Sequence, residues 1–198
     1  MDVGVRECDI AAEIYHTTFR EGADGVNFAS VKSGINSALI QPFTSIKKLE
    51  EGDLVQMDIG MIYEGYSSDL TRTVVVGNPS KKQKEIFTIS LEAQESAIKS
   101  IRPGILASEV DSIARNIIEE AGYGKYFPHL TGHGVGTDSH EFPIINQGVD
   151  IPLKTGMVVT VEPGIYVKEL GGARTEDMVL ITSEGFEVLT QCKRKLEL

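Results

Sequence analysis

The segment at residues 53–77 carries two acidic residues inside sequence that is otherwise typical of β-strands, and it constrains the fold more than any other part of the chain. Residues 54–63 and 68–76 are rich in β-branched and apolar residues, which predicts two strands. Glu64-Gly65 between them predicts a two-residue turn. In that hairpin Asp58 faces Thr71, and Asp69 lies two residues from Thr71 on the same strand.

Asp58 and Asp69 therefore project from the same side of the predicted hairpin, because side chains two residues apart share a face of a strand. As diagonal neighbours they lie roughly 7–8 Å apart by backbone position. Two like charges on a half-buried face are costly unless a cation lies between them. A cation site thus competes with a structural interpretation, in which one acid caps a turn and the other pairs with Arg72 or a lysine.

The composition indicates a soluble globular protein with a single domain over residues 1–198. The chain has 41% hydrophobic and 24% charged residues, and 19 basic against 29 acidic residues give a net charge of −10. This balance argues against nucleic acid or an anionic membrane as the main partner. No segment is typical of a signal peptide or a membrane span, and Cys8 and Cys192 lack metal-ligand spacing. We therefore expect a cytoplasmic protein with free, buried thiols.

The N-terminal part predicts a helix at residues 5–20, a strand at residues 26–32 and a loop at residues 33–43. The predicted buried face of this helix comprises Val5, Cys8, Ala12, Tyr15 and Phe19.

Two further helices are predicted after the hairpin. Ser80 and Gln83 form a capping-box pattern for a helix through about residue 101, and Ser108 with Asp111 caps a second helix that ends at Gly122. The predicted core face of the second helix comprises Val110, Ile113, Ile117 and Ala121. Residues 157–167 and 176–181 predict strands, with a turn at Gly171-Gly172. Each half of the chain thus has a helical part followed by a pair of strands that carry acidic residues.

Three of the four histidines, His129, His133 and His140, fall in one glycine-rich stretch without regular periodicity. A single histidine there would more often be a structural residue than a ligand. Three histidines in a loop, in a chain that already carries inward-facing acids, favour a functional site.

Five polar residues occur in apolar context: Asp58, Asp69, His133, Glu162 and Glu176. Oxygen-rich donors with one imidazole suit Mn²⁺, Fe²⁺, Co²⁺ or Zn²⁺. The four carboxylates carry about −4 when ionised, which two divalent ions offset and one ion does not. Paired ions bridge and activate a water molecule for hydrolysis. The charge count therefore favours a two-metal site.

Four stretches resemble the methionine aminopeptidase/prolidase superfamily of metallopeptidases: MDIGMIYEGYSSDLTRT, PHLTGHGVGTDSHE, VVTVEPGIYV and ARTEDMVLIT. The resemblance covers essentially the whole chain, and the last two stretches resemble the Xaa-Pro dipeptidase and Xaa-Pro aminopeptidase branch. It implies an α+β pita-bread fold, in which a curved antiparallel sheet is covered by helices and the two halves are related by a pseudo-twofold. It also implies a dinuclear exopeptidase that cleaves Xaa-Pro bonds through a metal-bridging hydroxide.

The resemblance assigns a role to each candidate residue. Asp58 binds one metal ion, Asp69 and Glu176 bridge both, and His133 and Glu162 complete the shells. Glu162 is also the proton shuttle. His129 and His140 line the substrate pocket and donate to the scissile carbonyl or the oxyanion, and Arg174 binds substrate. Mn²⁺ or Co²⁺ are the expected metals, with Fe²⁺ or Zn²⁺ as alternatives, and the expected partners are a small peptide with proline at P1′ and a second copy in a homodimer.

Two departures from the family pattern bear on activity. Gln41 stands where the family usually has a histidine near the substrate, and glutamine cannot become cationic or pass a proton. The family's separate N-terminal domain and one preceding helix have no counterpart here, as in a natural short form, a start assigned too late, or a fragment. Two alternatives to the peptidase are a metal-dependent hydrolase or lyase of a small non-peptide substrate, supported by Gln41, and a peptidase-like binding module.

Overall fold

The computed structural model describes residues 2–197, which form three long helices and three antiparallel sheets. The helices are α1 (Glu7–Arg20), α2 (Lys81–Ser100) and α3 (Ala107–Glu120). The mixture of helices with antiparallel sheets confirms the predicted α+β class.

The first sheet contains the hairpin that the sequence predicts. Its strands are β1 (Gly25–Ser33), β2 (Leu54–Tyr63), β3 (Tyr66–Ser67) and β4 (Leu70–Val75), and β2 pairs with the other three. Asp58 lies opposite Thr71, which confirms the predicted register. Glu64 and Gly65 form the turn with φ angles of 49° and 79°, and positive φ at both central residues is the conformation of a tight hairpin turn. Asp69 directly precedes β4 rather than lying within it.

The second half contributes a five-stranded sheet and a two-stranded ribbon. The sheet has the order β11-β10-β7-β5-β6, and the ribbon pairs β8 with β9. Their bounds are β5 (Gly132–Gly134), β6 (Glu141–Ile145), β7 (Val158–Val161), β8 (Gly164–Val167), β9 (Gly171–Arg174), β10 (Asp177–Thr182) and β11 (Gly185–Val188). Gly171-Gly172 therefore begins a strand, and the predicted turn at this dipeptide is wrong.

The larger hydrophobic core lies where α2 and α3 pack together and against the strands of the second half. Ile86, Ala114, Val159 and Val179 are fully buried in it. A smaller core lies beneath α1, which packs on β1. The larger cluster also contains Leu54 and Val75 of the first sheet, so it joins the two halves. In the part of the chain that the structure describes, no helix is long and apolar enough to cross a membrane.

The predicted buried face of α1 is wrong. Ala12, Tyr15 and Phe19 are exposed, whereas Glu7 and Thr18 are buried. The predicted stripe is wrong by one position, because Ile10, Ala11 and Ile14 form a second apolar stripe that packs on the smaller core, and Glu7 is buried on that side with polar partners. The cysteines are free as predicted, but Cys8 is only half-buried and Cys192 is exposed.

The start of α3 also differs from its prediction. The helix begins at Ala107, and the hydroxyl of Ser108 donates to Asp150 instead of capping the helix. Its buried face contains Ala114 and Ile118, whereas Ala121 is exposed. The α2 prediction is confirmed in detail, because Ser80 and Gln83 form the predicted reciprocal capping box.

Candidate metal centre

The hairpin and the second half bring five acidic and imidazole side chains to one place. The possible ligand atoms of Asp58, Asp69 and Glu176 lie within 4.8 Å of one another, and so do those of His133, Glu162 and Glu176. Strand alternation positions Asp58 and Asp69, because the inward face of the hairpin carries both. The second half supplies His133 from β5, Glu162 after β7 and Glu176 before β10.

Hydrogen bonds orient these side chains. His133 places Nδ1 3.0 Å from the carbonyl of Gly134, and a donor at Nδ1 leaves Nε2 free to act as a ligand. Nε2 lies 3.2 Å from Glu162 Oε1 and 3.7 Å from Asp69 Oδ2. The hydroxyl of Thr71 donates to Glu176 Oε2 at 2.6 Å. The cluster is therefore held in one geometry by its own surroundings.

The carboxylates carry more negative charge than the buried site compensates. Burial and the charges of Asp58 and Glu162 raise the pKa of Asp69 to about 8. Burial and the charges of Glu162 and Asp69 raise the pKa of Glu176 well above its usual value. Glu176 Oε1 is buried without a hydrogen-bond partner among residues 2–197. Crowded carboxylates with an unpartnered oxygen and one imidazole fit hard or borderline divalent cations.

Glu162 differs from the other acids in its protonation. Although burial opposes it, the contact with His133 and the positive charge of Arg174 lower the pKa of Glu162 to about 2. The hydroxyl of Thr160 also donates to Glu162 Oε1 at 3.2 Å. Glu162 is therefore ionised beside His133 and Arg174.

Arg174, at the end of β9, lies among the acids on the wall of the cavity. Its guanidinium contacts Asp58 and lies 3.5 Å from Glu162 and 3.9 Å from Glu176. It also donates to the hydroxyl of Thr71. The sequence predicted Arg174 as a substrate contact but did not predict this close association with the acids.

The two other histidines line the same cavity. His140 is exposed, and its ring stacks on His133 with the centroids 4.0 Å apart. His129 is half-buried, with Nε2 3.0 Å from the hydroxyl of Tyr166 and Nδ1 2.7 Å from the carbonyl of Leu130. Burial lowers the pKa of His129, and for His140 the partial burial of the ring against His133 and the charge of His133 lower the pKa, so each favours the neutral form.

A cavity of about 220 Å³ contains the whole cluster. Its apolar wall is formed by Phe28, Ile40, Pro42 and Leu130. Gln41, between two of these wall residues, has an exposed side chain that does not line the cavity. The sequence did not predict a role for Tyr166, although this residue lies in the stretch VVTVEPGIYV. Its partner His129 is distant in sequence, so no local pattern indicates the contact.

Comparisons with known proteins agree with this geometry. The model of metallopeptidase family M24 matches residues 1–183. The Xaa-Pro dipeptidase of Pyrococcus horikoshii is 50% identical over 194 residues, which are 98% of this chain and 55% of that protein. The solved prolidase of Pyrococcus furiosus superposes with a TM-score of 0.96 at 49% identity, over 98% of this chain and 58% of that one. The Xaa-Pro dipeptidase structure from Bacillus anthracis gives 0.98 at 44% identity, over 100% of this chain and 56% of that one.

The fold and the site define a metallopeptidase domain of the pita-bread type, which confirms the predicted fold. The chain belongs to metallopeptidase family M24. It spans about half the length of the curated relatives that it matches.

Proposed function

We propose that this chain is the catalytic domain of a dinuclear, metal-dependent exopeptidase that hydrolyses Xaa-Pro peptide bonds. The observation that carries this proposal is the convergence of five possible ligands and two further histidines in one small cavity. Relatives named Xaa-Pro dipeptidase, at 50% identity, support the substrate class.

The donor set divides naturally between two ions. Asp69, His133 and Glu176 each occur in two of the possible ligand groups, and of these three only the carboxylates of Asp69 and Glu176 have two oxygens with which to bridge. Asp58 would complete the shell of one ion, and His133 with Glu162 would complete the other. Two divalent ions held there would lower the pKa of a water molecule and polarise a substrate carbonyl. We propose Mn²⁺ or Co²⁺, with Fe²⁺ or Zn²⁺ as alternatives, because the donors are mostly oxygen.

The residues of the chain perform the proton transfers. Glu162 lines the cavity beside His133, and from there it would accept the proton of the attacking water and deliver it to the leaving amine nitrogen. His140 Nδ1 lies 3.1 Å from the Ser139 hydroxyl, and in the tautomer with the proton on Nε2 this histidine would donate to the carbonyl oxygen. His129 is fixed by Tyr166 on the opposite wall and orients the substrate. Arg174 would bind a substrate carboxylate or carbonyl.

The size and the lining of the cavity favour a small peptide. A volume of about 220 Å³ with apolar walls accommodates a compact ring such as proline at P1′.

A homodimer and a cytoplasmic location stay predictions from the sequence. Hydrolysis or elimination on a small non-peptide substrate is the second candidate and rests on Gln41, which stands beside the wall residues Ile40 and Pro42. A silent binding module is disfavoured by the five ligands.

Metal analysis and hydrolysis of Ala-Pro test the proposal together. We expect about two Mn²⁺ or Co²⁺ ions per chain, with turnover of Ala-Pro and little turnover of Ala-Ala. Glu162→Gln should lower kcat about a hundredfold or more, because the proton acceptor is lost. Glu187→Gln, an exposed glutamate on β11, is the matched control and should retain activity. Two bound ions without Ala-Pro turnover would favour the non-peptide substrate, and a protein that binds no metal would contradict the proposal.

A further inference from the structure

Glu7, the first residue of α1, is a buried carboxylate outside the metal centre. Its side chain is fully buried, and every hydrogen bond that it accepts comes from one segment, residues 33–45, which we call the pocket loop. The donors are the amide of Ser33 at 2.6 Å, its hydroxyl at 2.7 Å, Asn36 Nδ2 at 3.1 Å, the amide of Ser45 at 3.0 Å and its hydroxyl at 2.6 Å. Glu7 thus joins the two ends of the pocket loop to each other and to α1.

Two further contacts hold the middle of the pocket loop. The buried Lys32 donates from Nζ to the carbonyl of Leu39 at 2.6 Å. The amide of Gly172 donates to the hydroxyl of Ser37 at 2.9 Å. A Cβ atom at position 172 would collide with the carbonyl of Ser37, so a glycine is needed for this approach. The loop is therefore attached to the strand that ends at Arg174.

The tip of the pocket loop forms part of the cavity wall. Ile40 and Pro42 line the cavity together with the metal-centre acids, whereas Leu39 and Ile40 remain largely exposed. Solvent exposure gives this tip little packing of its own, so its position depends on the contacts at the base of the loop. Hydrogen bonds from β1 hold Phe43 and Thr44 at one end of the loop, and Glu7 bonds both ends, at Ser33 and at Ser45.

We infer that Glu7 is a positioning residue that sets the substrate pocket by fixing the pocket loop. The inference rests on the proposed function, because it takes the cavity as the peptide site. Glu7 touches neither the cavity nor the possible ligands, so it acts through the loop. It shapes the wall against which the substrate side chain or the proline ring packs.

The ionised carboxylate is needed at this place because its partners donate. The amides of Ser33 and Ser45 and the Nδ2 group of Asn36 cannot accept a hydrogen bond, and a carboxylate only accepts. A glutamine at position 7 has the same shape but offers one NH₂ group, which must face at least one of these donors. Although burial opposes it, the hydrogen bonds from Ser45, Ser33 and Asn36 lower the pKa of Glu7, in agreement with an ionised group.

The test compares Glu7→Gln with Glu13→Gln, the same substitution at an exposed position on the same helix. For Ala-Pro, we expect Glu7→Gln to raise KM about tenfold and to leave kcat within about twofold, because hydrogen bonds to a buried charge are lost at the loop and not at the reacting atoms. Bound metal should stay unchanged, and amide hydrogen exchange should become faster in residues 33–45. Glu13→Gln should match the wild type in each measurement.

The possible results distinguish a failure of the positioning role of Glu7 from a failure of the proposed peptidase function. An unchanged KM, or a parallel fall in kcat and bound metal, would overturn the positioning role of Glu7. If the wild-type protein does not hydrolyse Ala-Pro, the proposed function fails, and hydrogen exchange alone decides whether Glu7 fixes the loop. If Glu7→Gln does not fold, Ser45→Ala provides a second test, because it removes the hydrogen bond from the Ser45 hydroxyl to Glu7. We expect Ser45→Ala to raise KM by a smaller factor.

Discussion

At the scale of single residues, Glu176 and Asp177 divide two tasks between adjacent positions. Glu176, just before β10, faces the candidate metal centre, whereas Asp177, the first residue of β10, belongs to a separate buried network. Asp177 is fully buried and accepts hydrogen bonds from Arg72, Gln94, Thr190 and Arg194. Arg72 also donates to the carbonyl of Glu176. The buried polar network therefore fixes the backbone from which Glu176 projects.

Asp177→Asn should destabilise the protein by about 3 kcal/mol, because the buried guanidinium of Arg72 loses its counter-charge. Urea unfolding of the metal-free proteins measures the loss, and titration with Mn²⁺ should also reveal weaker binding through Glu176. Glu184→Gln, an exposed acid in the turn before β11, serves as the control. An unfolding free energy within about 0.5 kcal/mol of the wild type would mean that the network contributes little.

At the scale of helices and strands, the sequence predicted correctly those features that depend on residues close together in the chain. The hairpin register and the α2 capping box depend on neighbouring residues, and both are confirmed. The predicted inward face of α1 was wrong because two apolar stripes compete on this helix, and the one with Ile10, Ala11 and Ile14 packs inward together with Glu7, whose partners lie 26 to 38 residues away. Periodicity counts apolar residues and cannot detect a polar side chain that is satisfied by a distant loop.

Ser80→Ala should cost about 1 kcal/mol of unfolding free energy, because the Ser80 hydroxyl accepts the amide hydrogen bond of Gln83 at 3.2 Å. Ser112→Ala is the matched control, because Ser112 is an exposed residue within α3 and away from its ends, and this substitution should be neutral or slightly stabilising. Thermal unfolding without metal gives both values. Equal effects of the two substitutions would argue against the cap as a source of stability, and Ala-Pro turnover should be unaffected by either.

At the scale of the whole molecule, the two halves meet at the candidate metal centre. The first half supplies Asp58 and Asp69, and the second supplies the remaining possible ligands. Direct hydrogen bonds also cross this boundary, from Thr71 to Glu176 and from Thr73 to Arg174. The sequence predicted which residues belong to the centre, through motif resemblance. It did not predict Arg174 among the acids or the Arg72 network, because those contacts join residues about 100 positions apart.

Metal binding should therefore stabilise the junction of the two halves. Saturating Mn²⁺ at about a thousand times Kd is expected to add about 4 kcal/mol to the unfolding free energy, and a chelator should reverse the gain. Differential scanning calorimetry with and without Mn²⁺ measures it. Asp69→Asn, which removes a candidate bridging ligand, should abolish most of the shift, whereas Glu187→Gln should preserve it. A full shift in Asp69→Asn would remove Asp69 from the ligand set.

Side chains of the hairpin alternate between its two faces, and this alternation determines where the chain tolerates an insertion. One residue inserted into β2 between Asp58 and the turn would send one of the two acids to the outer surface. The turn at Glu64-Gly65 is different, since Tyr63 and Tyr66 on either side are exposed and the strand pairing begins beyond it. A peptide tag or a fluorescent domain grafted at this tip would leave both acids in place. The turn is thus an entry point for labels that report on the protein while Asp58 and Asp69 keep their places.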